Sequence, residues 1–464
     1  SGKTFKRIGA SNVHVDHHDL WINPKNTNHL VLGNDGGVNI SYDQGNNWIK
    51  LNQPSVGQFY SINVDNSNPY NVYGGLQDNG VWMAKNNSIE SPSWYETGHN
   101  NWTKIMGGDG MQIQIDNRDN NIVYTGLQFG NYYRLDLFNN ERKSIKPKHK
   151  LGDSPLRFNW QTPILISPHN QDIIYLGSNK LHRSFNKGDD WEEISKDLTS
   201  GGKKGNVPYG TITSFDESNF QFGKLIVGSD DGIVSISTDS GKTWKSVSDN
   251  LPPDLWVSRV IFSKHEKNMI YLSLNGYRYN DFKPYIYVSN DNGDSWENIS
   301  SNLPLSPVNV IREDINRKEI LYVGTDNGLF ISFNSGKKWH PFESSLNRVA
   351  VHDLVIQNEK NDLLVGTHGR SIYKTNLDLF NDFMIEKNGE KPLIIFEIND
   401  LRHSNSWGKR SNYSDDVFKS SIKTIVYSDK SIIYDYTITD NFNNILNKGK
   451  LNLDKGFNLS LIHI

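Results

Sequence analysis

Carboxylates, imidazoles, amides and aromatic rings recur in this chain at the ends of short apolar runs, where loops begin. The densest group is HVDHHD at residues 14–19. Read as a strand, it puts His14, Asp16 and His18 on one side and His17 on the other. Such nitrogen and oxygen ligands suit divalent metals. Ligands at every second strand residue, however, spread over about 13 Å. The histidines are therefore read as turn-stabilising or channel-lining groups, and no metal ligand is assigned. Asp35 lies in NDGG (34–37), Asp109 in GGDG (107–110), and His368 and Arg370 in THGR (367–370). Two facing carboxylates, one with a raised pKa, can cleave a glycosidic bond as acid and base, at about 6.5–9.5 Å for inversion. Asp35 and Asp109 are the candidate pair. His368 with Arg370 suits an anion or a carboxylate.

A repeat gives these residues a common setting. The phrase Ser-x-Asp/Asn-x-Gly-x-x-Trp occurs at residues 41–48, 184–191, 237–244, 289–296 and 332–339. Its glycines, Gly45, Gly188, Gly241, Gly293 and Gly336, stand where a tight turn needs positive φ. Its Asp or Asn accepts backbone N–H groups within the turn. Its Trp buries a large apolar area. The phrase is thus a hairpin staple rather than a catalytic motif. Before it runs a second pattern of apolar strand, Gly, polar turn and strand, in eight copies from residues 30–41 to 363–375. Alternating strands precede these copies, for example residues 59–65 and 257–263. Four strands, A to D, repeated about every 50 residues predict propeller blades.

The predicted fold is all-β: a β-propeller of seven or eight four-stranded blades with Asp-box hairpins over residues 1–379. A partial β-sandwich follows over 380–458, and residues 459–464 read as a non-native tail. The opening SGKTFKRI is the end of one more Asp box, with Phe5 in the Trp place. It either supplies the missing D strand of the last blade or belongs to an upstream propeller.

Connectivity divides the faces. A–B and C–D turns share one face, while B–C turns and the starts of the A strands share the other, around the central channel. That second face collects His18, Gln58, Phe59, Asp78, Asp109, Trp160, Trp256, Arg259, Asp326, His368 and Arg370. Aromatic rings stack on sugar C–H faces, and carboxylates and amides read hydroxyls or peptide groups. The expected function is binding of a polysaccharide or peptide through this face. The alternative is a glycoside hydrolase using Asp35 and Asp109.

Composition narrows the classes further. The 464 residues include 49 Lys+Arg and 52 Asp+Glu, a net charge of −3, with no basic stripe to hold phosphates. A nucleic-acid partner is not expected. With no cysteine there is neither a disulfide framework nor a thiolate metal site. No apolar run reaches membrane-spanning length. The pattern calls for no cofactor and leaves calcium open.

The phrases at residues 18–37, 57–80 and 107–110, with THGR, resemble the large secreted bacterial proteins with sortilin-like, BNR-type propellers, often labelled glycosyl hydrolases. HSNSWG (403–408) and KGFN (455–458) resemble that family's C-terminal β-domain. The resemblance implies export to the cell surface or medium. Related xyloglucanase-type enzymes use two Asp across a cleft between two propellers, one of them in an Asp-x-Gly-Gly turn. NDGG is similar but lacks the intervening residue, and the resemblance implies that role for Asp35. The arginine cluster and Arg-Ile-Pro phrase of sialidases are absent, as are the Cys-rich module and membrane span of sortilins.

Overall fold

The computed structural model describes residues 2–463 apart from 7, 10–12, 52–55, 89–100, 343–345, 347, 381–382, 384–390, 397, 399–404, 406–408 and 410–420. Most of HSNSWG therefore lies outside the described residues. The eight strand–Gly–strand copies become eight antiparallel sheets. Sheets I to VIII span residues 17–51, 59–106, 114–144, 164–193, 212–246, 256–298, 308–341 and 351–376. The first seven have four strands in sequence order, and sheet VIII has three.

Strands covered on both faces read as nearly continuous apolar runs. Leu225–Ser229 and Leu321–Thr325 are buried at every residue. Their side chains pack between neighbouring sheets, as Ile226, Val260 and Leu272 do between sheets V and VI. Helical periodicity is absent from these runs, and alternation about Gly and Asp turns leaves the hairpin as the local solution.

Sheets II to VIII follow one another round an axis, each bonded to the next. Asn63 Nδ2 donates to Ile113 O, and Ile164 N to Gln112 Oε1. Ser167 Oγ donates to Glu217, Val260 N to Ser214 Oγ, Ser263 Oγ to Glu313, and Arg312 Nε to Leu354 O. The circle is completed from sheet II to sheet VIII: Ser61 Oγ and Ile62 N both donate to Asp353 Oδ2, at 2.9 and 3.1 Å. Gly369 N also donates to Gly57 O at 2.9 Å.

The Asp boxes fold as expected and add one unforeseen bond. In each, the Gly N–H donates to the Ser Oγ at 2.7–2.9 Å. The Asp or Asn Oδ1 accepts the backbone N–H four residues on, at 2.8–2.9 Å. The five glycines have φ between +81° and +88°. Their missing Cβ also admits the preceding sheet: a Cβ on Gly336 would sit 2.7 Å from Ile299. In four of the five boxes the Trp indole also donates back to the preceding segment; the Trp191 indole N–H has no partner among the described residues. Trp244, Trp296 and Trp339 donate Nε1 to Ile194 O, Val247 O and Ile299 O, at 2.9, 2.8 and 2.7 Å. Each acceptor lies three residues beyond the Trp position of its own sheet.

That rule places the opening residues. Trp48 Nε1 donates to Ile8 O at 2.8 Å, and Ile8 lies three residues after Phe5. Phe5 and Ile8 thus stand before sheet I as Trp296 and Ile299 stand before sheet VII. Among the described residues, sheet VIII has no fourth strand.

At the C-terminal end, strands Leu393–Ile395, Ser421–Ser428 and Gly456–His463 form one sheet, and Ile432–Thr439 pairs with Ile445–Leu453. Leu459–His463 continue the last strand in register with Ser421–Ile425. An aromatic cluster joins this sheet to sheet VII. Phe457, Tyr427 and Phe383 are buried against Phe342, and Phe383 lies 4.3 Å from Phe333 between ring centroids.

Candidate functional site on the channel face

The inner strand of six sheets carries a register shift at its start: His17/Asp19, Phe59/Ser61, Ile212/Ser214, Val257/Arg259, Val308/Val310 and Val351/Asp353. The extra residue at such a bulge leaves the regular alternation and is re-aimed. His18, Tyr60, Thr213, Ser258, Asn309 and His352 occupy these places. Simple alternation therefore misassigns their neighbours.

Phe59 is a correction of this kind. It is 4% exposed, and its ring fills the space over Gly74. Tyr60, next in sequence, takes the site position. Its hydroxyl is bonded by the Trp160 side chain, and burial pushes its pKa up to about 12. Its ring lies 5.8 Å from that of His368, which stacks on His352 at 4.3 Å and 9°. Gln58 bridges to His368 through the backbone. Trp160 keeps 37% exposure and meets Phe129 edge-on at 5.2 Å.

Burial, then the neighbouring His368, lowers the His352 pKa to about 3, and burial lowers that of His368 as well. A histidine kept neutral by the fold contributes stability above its ordinary pKa of about 6.5, which is lost as pH falls from there toward 3. We expect His352→Gln to flatten the fall in unfolding free energy between pH 6.5 and 4, a slope of at most about 1.4 kcal/mol per pH unit per proton. Parallel slopes in urea titrations of the two proteins would contradict this.

Asp109, only 8% exposed, reaches the site because two sheets approach backbone to backbone. A Cβ on Gly75 would lie 2.3 Å from Met111 O, and one on Gly110 2.3 Å from Gly80 O. Glycine at these places lets Asp109 Oδ1 accept the Asp78 N–H at 2.7 Å, while its Oδ2 accepts Gln128 Nε2. Both oxygens of this candidate catalytic group are thus engaged by the neighbouring turns. Asp78 holds φ +60°. Its carboxyl is raised by burial first, then by the charges of Asp109 and Asp35.

Asp35 comes from sheet I. His18 Nε2 lies 2.5 Å from Asp35 Oδ1. The turn carrying Asp35 touches sheet II directly: Asn79 Nδ2 donates to Asp35 O at 3.0 Å, and His14 Nε2 meets Asp78 O at 2.9 Å. Three carboxylates thus gather where sheet I meets the circle of sheets.

The remaining candidates are dispersed. Arg259, expected to face a ligand, instead bonds the buried Asp353 at 2.9 Å, because it follows the bulge. Asp326 accepts Asn309 Nδ2 at 2.8 Å. Arg370 is exposed in its turn and caps it with its backbone N–H on Thr367 Oγ1. Trp256 lies under the Arg278 guanidinium, 3.9 Å from the ring centroid. Tyr60, Gln128 and Arg278 were not picked out from the sequence. The first is the bulge residue, and the other two sit in turns whose partners are distant in the chain.

The family model described as sortilin, neurotensin receptor 3, matches residues 284–452. Among solved structures, the GH74 xyloglucanase from Xanthomonas campestris is 17% identical with a TM-score of 0.54, over 71% of this chain and 53% of that one. The fold is that of a β-propeller with Asp-box hairpins, and residues 284–452 are similar to the sortilin family. It spans about half the length of that xyloglucanase. An ancestral GH74 enzyme is 14% identical to the propeller chain, with TM-score 0.42, over 80% of this chain and 61% of that one. YCF48 bound to D1 peptide is 11% identical, with TM-score 0.39, over 78% and 93%. No curated protein matches the propeller chain. Among its described residues, no helix is long and apolar enough to cross a membrane.

Proposed function

We propose that this propeller binds a glycan on its channel face, at the junction with sheet I, and that it works at the cell surface or outside the cell. The observation that carries the reading is the meeting of Asp35, Asp78 and Asp109 beside Tyr60 and the part-exposed Trp160. Carboxylates accept sugar hydroxyls while a ring face takes the C–H side of a pyranose. Peptide capture is the other use of such a rim.

Sheet I is read as a blade of a second, upstream propeller. Its inner strand His17–Ile22 is exposed throughout, with Leu20, Trp21 and Ile22 at 43%, 48% and 50%. Inner strands within the circle are largely buried, as in Ile212–Glu217. In a longer chain that includes the preceding sequence, neighbouring blades cover this strand, and the carboxylates line a cleft between two propellers.

The raised Asp78 carboxyl favours hydrolysis as a second reading, with Asp78 rather than the engaged Asp109 facing Asp35 as the acid. One comparison separates the readings. The test is Asp78→Asn in affinity gels with xyloglucan and with a neutral peptide, and in reducing-sugar release. For a binding module, xyloglucan affinity falls about tenfold, or 1.4 kcal/mol, and neither protein releases sugar. For a hydrolase, the parent protein releases sugar and the variant loses about 10²–10⁴-fold of that rate while still binding. Retardation by the peptide alone, or no effect of the substitution, would overturn the glycan reading. Cell fractionation tests the location.

A further inference from the structure

The turn between the second and third strands of sheet VI, residues 276–284, is built unlike its counterparts. A 3₁₀ turn at Tyr277–Tyr279 projects its side chains outward, and Asn280 follows it in the left-handed region at φ +57°. Tyr277, Tyr279 and Phe282 are 59%, 52% and 46% exposed. Tyr277 and Phe282 meet edge to face at 6.3 Å. The loop is held rigidly: Asn280 N donates to Tyr277 O, Asp281 N to Gly276 O, and the Tyr285 hydroxyl to Asp281 at 2.6 Å. Large rings on a fixed backbone lose little freedom when a ligand stacks on them.

Beside it runs the loop that leads into sheet V. Tyr209 from that loop is hydrogen-bonded to the Tyr279 side chain. Lys203 Nζ lies 4.1 Å over the Tyr209 ring and donates to its hydroxyl at 3.1 Å. Arg278 lies over Trp256 at 3.9 Å. Lys204 and Lys283 extend the two loops and are exposed. Four cations thus border five rings.

Carboxylates stand near this charge without pairing directly with Lys203 or Arg278: Asp230 attracts Arg278, Asp254 attracts Lys203 and Asp281 attracts Lys283. Asp230 is used by Gly210 N, Thr211 N and Thr211 Oγ1, and Asp281 by Lys283 N and Tyr285. Asp254 is the remaining carboxylate near Lys203. Among the described residues, neither Lys203 nor Arg278 forms an ion pair with a carboxylate; both are held against rings instead.

We infer that this ridge on sheets V and VI binds an acidic polysaccharide, its pyranose rings on Tyr277, Tyr279 and Phe282 and its carboxylates at Lys203 and Arg278. The inference rests on the channel face being a glycan surface and names the class of glycan. Ridge chemistry favours a sugar over an acidic peptide: the rings stand on an open surface, whereas peptide side chains anchor in pockets. A cavity of about 620 Å³ lies elsewhere, lined by Arg134, Arg142, Phe185 and Lys187.

The test is affinity electrophoresis of the full chain in gels containing polygalacturonate, xyloglucan or poly-glutamate. Polygalacturonate should retard the protein, and added salt should weaken the retardation because exposed charges are screened. The double variant Tyr277→Ala/Phe282→Ala should lose about tenfold in affinity, about 1.4 kcal/mol, and Lys203→Ser should lose several-fold. All three residues are exposed, so the variants should unfold at the parent's temperature. Retardation by poly-glutamate equal to that by polygalacturonate overturns the inference, as does polygalacturonate binding that the ridge variants leave unchanged. If xyloglucan binds in an Asp78-dependent way and polygalacturonate does not, the ridge inference fails while the proposed function stands. If no glycan binds, both fail.

Discussion

Asp353→Ala should destabilise the propeller by about 3–5 kcal/mol, the cost of removing one partner from a buried charge network. Asp353 is 2% exposed on the inner strand of sheet VIII. Its Oδ2 takes Ser61 Oγ and Ile62 N from sheet II. Its Oδ1 takes Leu354 N, Arg259 from sheet VI at 2.9 Å and Arg312 from sheet VII at 3.4 Å. One carboxylate therefore ties four sheets where the chain's distant ends meet. Alanine leaves two guanidinium groups facing each other without their bonded counter-charge, with Asp216 as the carboxylate still acting on Arg312. Urea unfolding measures the loss, and hydrogen exchange locates it. The Ile62 and Leu354 amides should lose protection before those of sheets IV and V. A change below about 1 kcal/mol, within the range of ordinary surface substitutions, would show that the network does not hold the closure.

Trp339→Ala should cost a similar amount, about 3–5 kcal/mol for a fully buried large ring. Trp339 is 1% exposed, packs among Ile299, Leu321 and Phe330, and donates its indole N–H to Ile299 O at 2.7 Å. Truncation leaves a cavity and an unpaired buried carbonyl between sheets VI and VII. Trp244 makes the same bond but is only partly buried, so Trp244→Ala should cost clearly less. Equal losses at the two positions would mean that the bond to the preceding sheet, rather than ring burial, sets the energy.

The Asp boxes were legible because every group they need lies within eight residues. Ser289, Asp291, Gly293 and Ser295 complete their turn with one another, and burial elsewhere does not alter that. Ser295 holds the Asp291 carboxyl down at about 2. The assignment of B–C turns and A-strand starts to one face also carried over, since it follows from hairpin connectivity alone. Asp78 and Asp109 meet on that face as the connectivity requires.

The site itself was less legible. Position near the start of an A strand named Phe59 and Arg259, but bulges beside both residues rotate the strand. A bulge depends on how the neighbouring strand pairs, and that partner lies 10 to 20 residues away. Glycines such as Gly75 and Gly110 were visible as a phrase, yet their reason is the backbone of another sheet.

By itself, the sequence determined the repeat, the hairpin corners, the all-β class and which turns share a face, because short-range sterics and hydrogen bonds settle each of these within a hairpin. Only the tertiary structure decided which sheets close on one another, that sheet I joins them through its turn, and that Tyr60 rather than Phe59 faces the channel. Those outcomes depend on contacts between residues as far apart as Ser61 and Asp353, whose meeting no local pattern encodes.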